Sequence, residues 1–351
     1  MTYIVKPKVH HPSMQKNALG LTRRDYEGSM STLCAGCGHD SVTAAIIQTF
    51  WELDIEPHRV AKLSGIGCSS KTPTYFIKQA HGFNSVHGRM PSIATGANAA
   101  NGDLTYIGIS GDGDSLSIGL GQLCHLIRRN VNMLYVLENN GVYGLTKGQF
   151  SASADRGTLA KKGEANQMEA IDGCLMALTL GATFVARSFS GDKEQLVPIL
   201  KAGLKHKGFA FIDVISPCVT FNDHQGSTKS YAYTREHLHE VDDVDFVPLR
   251  KEITMPAGDG ALRQVRMHDG SVVTFKRIDD QYDPTDRDRA YSYLREHQNK
   301  GQVLTGLLYM QEDSKDLHEV NKTAPGPLTA IPYEQLTPGA AALAKLQKRY
   351  R

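Results

Sequence analysis

Apolar and polar positions along the chain follow two alternating periods. Residues 60–64, 104–110, 133–137, 183–188 and 209–215 are short, nearly continuous apolar runs of the length of buried strands. Between or before them, residues 41–50, 116–129, 168–180 and 193–206 carry apolar side chains at helical spacing, with Asp40 or Ser41 placed to cap the first helix. Strands regularly separated by helices predict an α/β fold, a parallel sheet with helices on both faces. In such sheets ligands bind beyond the carboxyl ends of the strands. The glycine-rich segments 65–70 and 111–114 fall at such ends.

The pattern changes on either side of this region. Residues 1–28 read as an irregular leader, and residues 29–225 as one ligand-binding domain. Residues 226–351 read as a C-terminal extension: a charged stretch at 234–245, a hairpin-like insertion at 246–278, a helix at 287–298 and an apolar run at 303–310. From Lys322 onward Pro325, Pro327, Pro332 and Pro338 predict an extended arm that wraps a neighbour or stays mobile.

Composition narrows the function classes. The chain has 351 residues, 40% hydrophobic with 33 glycines besides, which is enough for a sizeable core. Thirty-nine basic residues nearly balance 37 acidic ones, and no Lys/Arg block provides the basic surface that nucleic acid needs. No apolar run approaches the ~20 residues of a membrane span, and the first residues lack a signal-peptide core. A cytoplasmic location is expected. In that reducing compartment closely spaced cysteines serve more often as metal or redox ligands than as disulfides.

Gly111-Asp112-Gly113-Asp114 ends an apolar run and precedes a helix. Glycines let backbone amides approach a diphosphate, and the helix N-terminus favours its charge. Two aspartates in that turn would repel phosphate unless a cation lies between, and Mg²⁺ takes oxygen ligands together with phosphates. A dinucleotide fingerprint fits poorly, because Leu116 occupies the third glycine position and the next run ends in Leu137-Glu138-Asn139-Asn140. Asp112 and Asn140 stand 28 positions apart, with one helix and one strand between them. That order resembles the diphosphate-binding motif of thiamine diphosphate enzymes. The resemblance implies that Asp112, the Asn140 side chain and the Val142 carbonyl bind Mg²⁺.

Cys34 and Cys37 form a C-x-x-C beside glycines, Cys68 lies in Gly65-Ile66-Gly67-Cys68-Ser69-Ser70, and Cys218 follows Ser216-Pro217. Four such thiolates could hold a zinc ion or a 4Fe-4S cluster, and spacing does not separate the two. Cys124 and Cys174 lie within helical patterns and read as small core hydrophobes. His10, His11, His224, His237 and His239 have no metal-ligand spacing and read as surface residues, and Arg128-Arg129 as a solvated helix end.

Taken in order, Cys34-x-x-Cys37-Gly38, the Cys68 turn, Val86-His87-Gly88-Arg89, the Gly-Asp-Gly-Asp turn and residues 140–149 (Asn-Gly-Val-Tyr-Gly-Leu-Thr-Lys-Gly-Gln) resemble the β subunits of 2-oxoacid:ferredoxin oxidoreductases over about residues 30–225. The resemblance implies a thiamine diphosphate-binding fold and one 4Fe-4S cluster on Cys34, Cys37, Cys68 and Cys218. It implies cofactor contacts from Cys68, Ser69, His87, Gly111, Asp112, Gly113, Asp114, Asn140, Val142, Gly144, Leu145 and Thr146. His87 matches a cofactor or substrate contact and Lys147 a lysine used near the 2-oxoacid carboxylate, and Arg89 is a second candidate for the work of Lys147. Two departures stand out: Ala35, where many relatives have proline, and the length of chain after about residue 225.

The implied activity is coenzyme A-dependent oxidative decarboxylation of a 2-oxoacid, with ferredoxin as electron acceptor. A redox cluster suits it and zinc does not, since zinc has no redox chemistry. The long chain points to 2-oxoglutarate as substrate, with pyruvate the alternative. The carboxylate that activates the cofactor lies, in this family, on a separate pyrimidine-binding domain, so a partner α subunit supplying that glutamate is implied, in an α2β2 assembly. Rival readings are a non-redox thiamine diphosphate decarboxylase or ligase with structural zinc, and a non-catalytic scaffold or electron-transfer subunit.

Overall fold

A computed structural model describes residues 11–160, 163–247, 262–267, 270–277, 282–324 and 326–350. The strands, in chain order, are β1 (Val60–Ser64), β2 (His81–Asn84), β3 (Thr105–Gly111), β4 (Met133–Asn139), β5 (Val142–Tyr143), β6 (Gln149–Phe150), β7 (Phe184–Phe189), β8 (Phe209–Ile215), β9 (Leu238–Glu240), β10 (Asp242–Val247), β11 (Leu262–Arg266), β12 (Val272–Arg277) and β13 (Val303–Met310). Among the described residues eight of them form one sheet in the order β2-β1-β3-β4-β8-β7-β13-β9. From β2 to β7 all pairs are parallel, and β13 joins β7 antiparallel. β10, β12 and β11 make a separate antiparallel sheet, and β5 and β6 a two-strand ribbon.

The continuous apolar runs follow from burial on both faces. Leu134 and Val136 face a core shared with Ile107, Ile109, Ala210 and Ile212, roofed by α1 (Gly38–Glu52). Tyr135 and Leu137 point to the opposite core with Phe209 and Phe211, as the two-residue strand period requires. α2 (Thr72–Tyr75) packs against α1, and on the second face lie α3 (Met90–Ala100), α4 (Leu120–Arg128) and α5 (Gly173–Thr179), which contribute Met90, Leu123 and Leu178 to the second core. α6 (Lys193–Lys205) packs beside α1 through Leu196, Ile199 and Leu200. The α/β class with helices on both faces is therefore present.

Several boundaries differ from the sequence pattern. Cys37, not Asp40 or Ser41, is the N-cap of α1. The helix expected over 168–180 covers Gly173–Thr179, because the Asp172 carboxylate accepts the N–H groups of Cys174 and Leu175 and starts it there. A π-helical turn (Gly113–Ile118) precedes α4. α3 has no counterpart in the apolar pattern, since it buries Met90, Ala94 and Asn98 with little large apolar surface. In the leader, Tyr26 is fully buried and its hydroxyl donates to the Ile55 carbonyl (2.9 Å).

Beyond residue 225 the chain adds α7 (Tyr231–His237), β9, α8 (Arg287–Asn299) and β13, which extend the main sheet past β7. The insertion at 246–278 lies partly outside the described residues. After α9 (Leu317–Asn321), helices α10 (Tyr333–Leu336) and α11 (Gly339–Gln347) bury none of their residues against the body. Among the described residues no helix is long and apolar enough to cross a membrane.

Candidate functional site

The loops leaving β1, β3 and β4 meet at the carboxyl edge of the sheet. Glycine is needed on the β3 loop: a Cβ on Gly111 would lie 2.8 Å from Ser69 Oγ, and one on Gly113 2.4 Å from the Tyr143 ring. Asp112 is buried, and its Oδ2 accepts the Gly141 N–H (2.8 Å) and the hydroxyls of Ser153 (2.6 Å) and Ser151. Burial raises its pKa, although those hydrogen bonds pull the other way. Among the described residues no lysine or arginine makes an ion pair with it.

After β4 the chain turns through Gly141 (φ 75°), where a Cβ would lie 2.5 Å from Asn222 Nδ2. Asn140 Oδ1 accepts the Val142 N–H (3.0 Å), the Asn140 carbonyl accepts from Asn222 Nδ2 (2.8 Å), and the next residue's N–H, of Gly141, reaches Asp112, so Asn140 and Asp112 sit at neighbouring strand ends and line one cavity. Cys68, Ser69, His87, Gly111, Asp112, Gly113, Asp114, Asn140, Val142, Gly144, Leu145 and Thr146 line one cavity of about 100 Å³. Lys147 and Arg89 are not in its lining. Lys147 sits next in the chain with a left-handed backbone (φ 79°), an uncommon state for a non-glycine residue that marks a constrained loop. The cavity also takes in Ile66, Gly67 and Tyr143, which lie within the quoted motifs without an assigned contact, and His39, just after the C-x-x-C-Gly segment.

The cysteines gather on the far side of Gly144. A Cβ there would meet Cys68 Sγ at 3.4 Å and Cys218 Sγ at 3.7 Å. The Cys37 N–H donates to the Cys34 carbonyl (3.0 Å), and the Thr220 hydroxyl lies 3.6 Å from Cys34 Sγ. Burial pushes the Cys37 thiol up to about 12 and raises Cys68 and Cys218 as well, with the neighbouring cysteines adding to the rise in each case. Among the described residues no three His, Cys, Asp or Glu side chains converge on a point fit for a single metal ion. Cys174 is buried and Cys124 half-buried, away from this group.

Between the sulfurs and the cofactor loop lie His39 and Glu138, both fully buried. His39 Nδ1 is 2.6 Å from Ser216 Oγ, and its Nε2 is 3.5 Å from Asn140 Nδ2. Glu138 accepts the Thr72 hydroxyl on both oxygens (3.0 and 3.1 Å). Burial lowers the histidine to about 4 and raises the glutamic acid well above its ordinary value, and His39 Nδ1 lies 3.6 Å from a Glu138 oxygen. A glutamate ending an apolar strand was the available sequence signal for this pair.

A second cavity, about 170 Å³, lies beyond β4, β8 and β7, walled on its other side by α7 and α8. Its charges are paired internally: Arg187 donates to Asp172 (2.8 Å) and Asp213 (3.0 Å), and Lys229 to Asp155 (2.8 Å).

Comparison with known proteins bears on this geometry. A family profile described as "Thiamine pyrophosphate enzyme, C-terminal TPP binding domain" matches residues 65–214. The chain is 43% identical over 191 residues to a 2-oxoacid:ferredoxin oxidoreductase subunit beta from a Sulfolobus species, covering 54% of this chain and 63% of that relative. It is 41% identical over 210 residues to the corresponding subunit of Saccharolobus solfataricus, covering 60% of this chain and 68% of that one. The chain thus spans just under two thirds of the first relative and just over two thirds of the second. Among solved structures it resembles a 2-oxoglutarate:ferredoxin oxidoreductase from Magnetococcus marinus with 2-oxoglutarate, coenzyme A and succinyl-CoA bound. The TM-score there is 0.70 at 29% identity, covering 90% of this chain and 92% of that one.

Proposed function

The chain belongs to the β subunits of the 2-oxoacid:ferredoxin oxidoreductases, and we propose that it supplies the diphosphate-binding half of such an enzyme's active site together with its electron outlet. The supporting observation is that Cys68 and Gly144 line the same cavity as Asp112, and a Cβ on Gly144 would meet Cys68 Sγ at 3.4 Å and Cys218 Sγ at 3.7 Å, so the sulfurs adjoin the Gly-Asp-Gly-Asp turn.

The residues fit the groups this reading requires. Asp112, Asn140 and the Val142 carbonyl are oxygen donors of the kind Mg²⁺ takes, and Asp112 has no protein cation to displace among the described residues. Gly111 and Gly113 keep the backbone open to a diphosphate. A single zinc requires four sulfurs converging at about 2.3 Å, whereas a four-iron cluster holds its ligands apart on separate corners. The redox chemistry of the proposed reaction favours the cluster at Cys34, Cys37, Cys68 and Cys218, since zinc has none. When bound, thiamine diphosphate supplies the carbon nucleophile that decarboxylates a 2-oxoacid, and the 4Fe-4S cluster accepts the electrons singly.

The chain's own residues do the positioning. Ser151, Ser153 and Gly141 aim Asp112, Asn222 holds the Asn140 turn, and the buried His39 and Glu138 fill the space toward the sulfurs. Lys147, at the mouth, is the candidate for the substrate carboxylate. No glutamate lines the cavity. This supports a partner α subunit that brings the pyrimidine-binding domain and its catalytic glutamate, in an α2β2 assembly in the cytoplasm. The favoured reaction converts 2-oxoglutarate and coenzyme A to succinyl-CoA and CO2 with ferredoxin as acceptor, in keeping with the ligands of the Magnetococcus marinus protein. Anaerobic co-purification with the partner subunit, followed by iron, zinc and acid-labile sulfide analysis, tests this reading. Iron and sulfide near four each per chain, with 2-oxoacid-dependent reduction of ferredoxin, are expected, and zinc without sulfide would overturn it.

A further inference from the structure

Two aspartates share the Gly-Asp-Gly-Asp turn, and their surroundings differ. Both side chains are buried and both residues line the cavity, but Asp112 Oδ2 accepts from Gly141, Ser151 and Ser153, whereas Asp114 is held by the loops that follow β1 and β2. Its Oδ1 accepts the N–H groups of Gly88 (2.7 Å) and Ile66 (3.3 Å), and its Oδ2 accepts the Ser110 hydroxyl (2.6 Å). Ser110 is held as that donor because it accepts from Ser115 (2.7 Å). The remaining contact is His87 Nδ1 on Oδ1. Three of these contacts fall on Oδ1 and one on Oδ2, so the carboxylate is committed chiefly to groups of the protein itself.

The local backbone serves this placement. A Cβ on Gly65 would lie 1.7 Å from Asp114 Oδ2, and one on Gly88 (φ 74°) 2.8 Å from the Gly119 nitrogen. Glycine at 65 therefore makes room for the carboxylate, and glycine at 88 fixes the chain beside His87. The His87 ring is one-third exposed, lines the cofactor cavity and meets the edge of Tyr143 with ring centres 6.2 Å apart.

We propose that Asp114 is a positioning residue for His87 rather than a cofactor ligand, and that its contact with Nδ1 fixes the tautomer in which an unprotonated Nε2 faces the cavity as a proton acceptor. Every other partner of Asp114 is a donor, so the proton between carboxylate and imidazole belongs on Nδ1, which leaves the Nε2 lone pair free. An acidic O–H, N–H or S–H group of a ligand in the cavity then transfers its proton to Nε2. The ring becomes an imidazolium whose charge the Asp114 carboxylate offsets, and the proton later returns to product or solvent. This is the orienting logic of acid–base pairs in which a buried carboxylate aims an imidazole. The identity of that ligand rests on the function proposed above; the tautomer does not.

The test begins with nitrogen NMR on the full chain labelled at histidine, with the His87 signals assigned by their loss in His87→Gln. In the neutral ring the proton is expected on Nδ1, and a predominantly Nε2-protonated ring would overturn the proposal whether or not any cofactor binds. In the assembled enzyme, Asp114→Asn should lower kcat by about 100-fold, in the range of a lost general acid–base group, with thiamine diphosphate affinity and substrate KM changed less than about threefold. A loss of cofactor affinity as large as that of Asp112→Asn would make Asp114 a ligand and sink the idea. Failure of the unsubstituted assembly to bind thiamine diphosphate would instead overturn the function proposed above and leave the tautomer result standing.

Discussion

The two cavities at the carboxyl edge of the sheet treat buried carboxylates in opposite ways. In the larger one, burial alone would raise the Asp172 carboxyl, but Arg187 and the Leu175 and Cys174 amides more than offset it, and its pKa falls below the ordinary value. In the smaller one, burial raises Asp112 and among the described residues no protein cation answers it. The cavities are neighbours: Ser153 donates to Asp112 and lies 2.8 Å from Asn139, whose amide reaches Asp213. A buried charge with its counterion supplied by the fold is a structural element. A buried carboxylate without one, in a cavity that also presents Asn140 and the Val142 carbonyl, suits an incoming cation, and that contrast supports the magnesium proposed at Asp112.

The largest effect that would sharpen this contrast is expected on the paired side. Arg187→Met leaves Asp172 and Asp213 buried without their cation and should destabilise the chain by about 3–5 kcal/mol, read by urea unfolding. A change below about 1 kcal/mol would mean that the ion triad is well hydrated and that the comparison fails. On the unpaired side, Gly113→Ala drives a methyl into the Tyr143 ring, whose hydroxyl donates to the Gly113 carbonyl (3.0 Å). A cost of about 1–3 kcal/mol is expected, appearing as weakened thiamine diphosphate binding in the assembled enzyme. Undiminished binding would show that the ring moves aside freely.

A third buried charge gives a smaller, pH-dependent test. Lys62 on β1 donates to the Phe76 (2.6 Å) and Ile77 (2.9 Å) carbonyls without a carboxylate, and burial lowers its pKa from 10.5 to about 8. Between those two values the unfolded chain holds a proton that the folded chain has released. Stability therefore rises with pH across that window and this contribution is complete above 10.5. Urea midpoints at several pH values should show this rise in the native chain and not in Lys62→Met. Parallel curves for the two proteins would contradict it.

The same physics explains what was legible in the sequence. The strand at 209–215 stood out because all seven residues are buried, and burial on both faces writes an unbroken apolar run. The helix at Met90–Ala100 did not, because it buries mainly small side chains and carries Gly96 within its span. The run at 303–310 was visible as apolar, but its pairing with β7 is a non-local contact that no local period encodes. In the site, glycine spacing and the Asn139-Asn140 pair were readable because backbone geometry demands those residue types. The divergence of Asp112 from Asp114 was not, since two identical side chains two positions apart differ only in what the fold sets around them. His39 and Glu138 went unmarked for the same reason: their burial and mutual contact come from the fold, which spacing does not reveal.

The central claim, that Asp112 is left without a protein counterion because magnesium supplies it, is tested most directly by calorimetric titration of thiamine diphosphate into the assembled enzyme with and without Mg²⁺. The native protein should bind at least about 100-fold more tightly with Mg²⁺ present, a difference of about 2.7 kcal/mol, and Asp112→Asn should lose most of that gain while its unfolding midpoint stays unchanged or rises. Equally tight binding in the presence of a chelator, or an Asp112→Asn protein that keeps the full magnesium effect, would contradict the account.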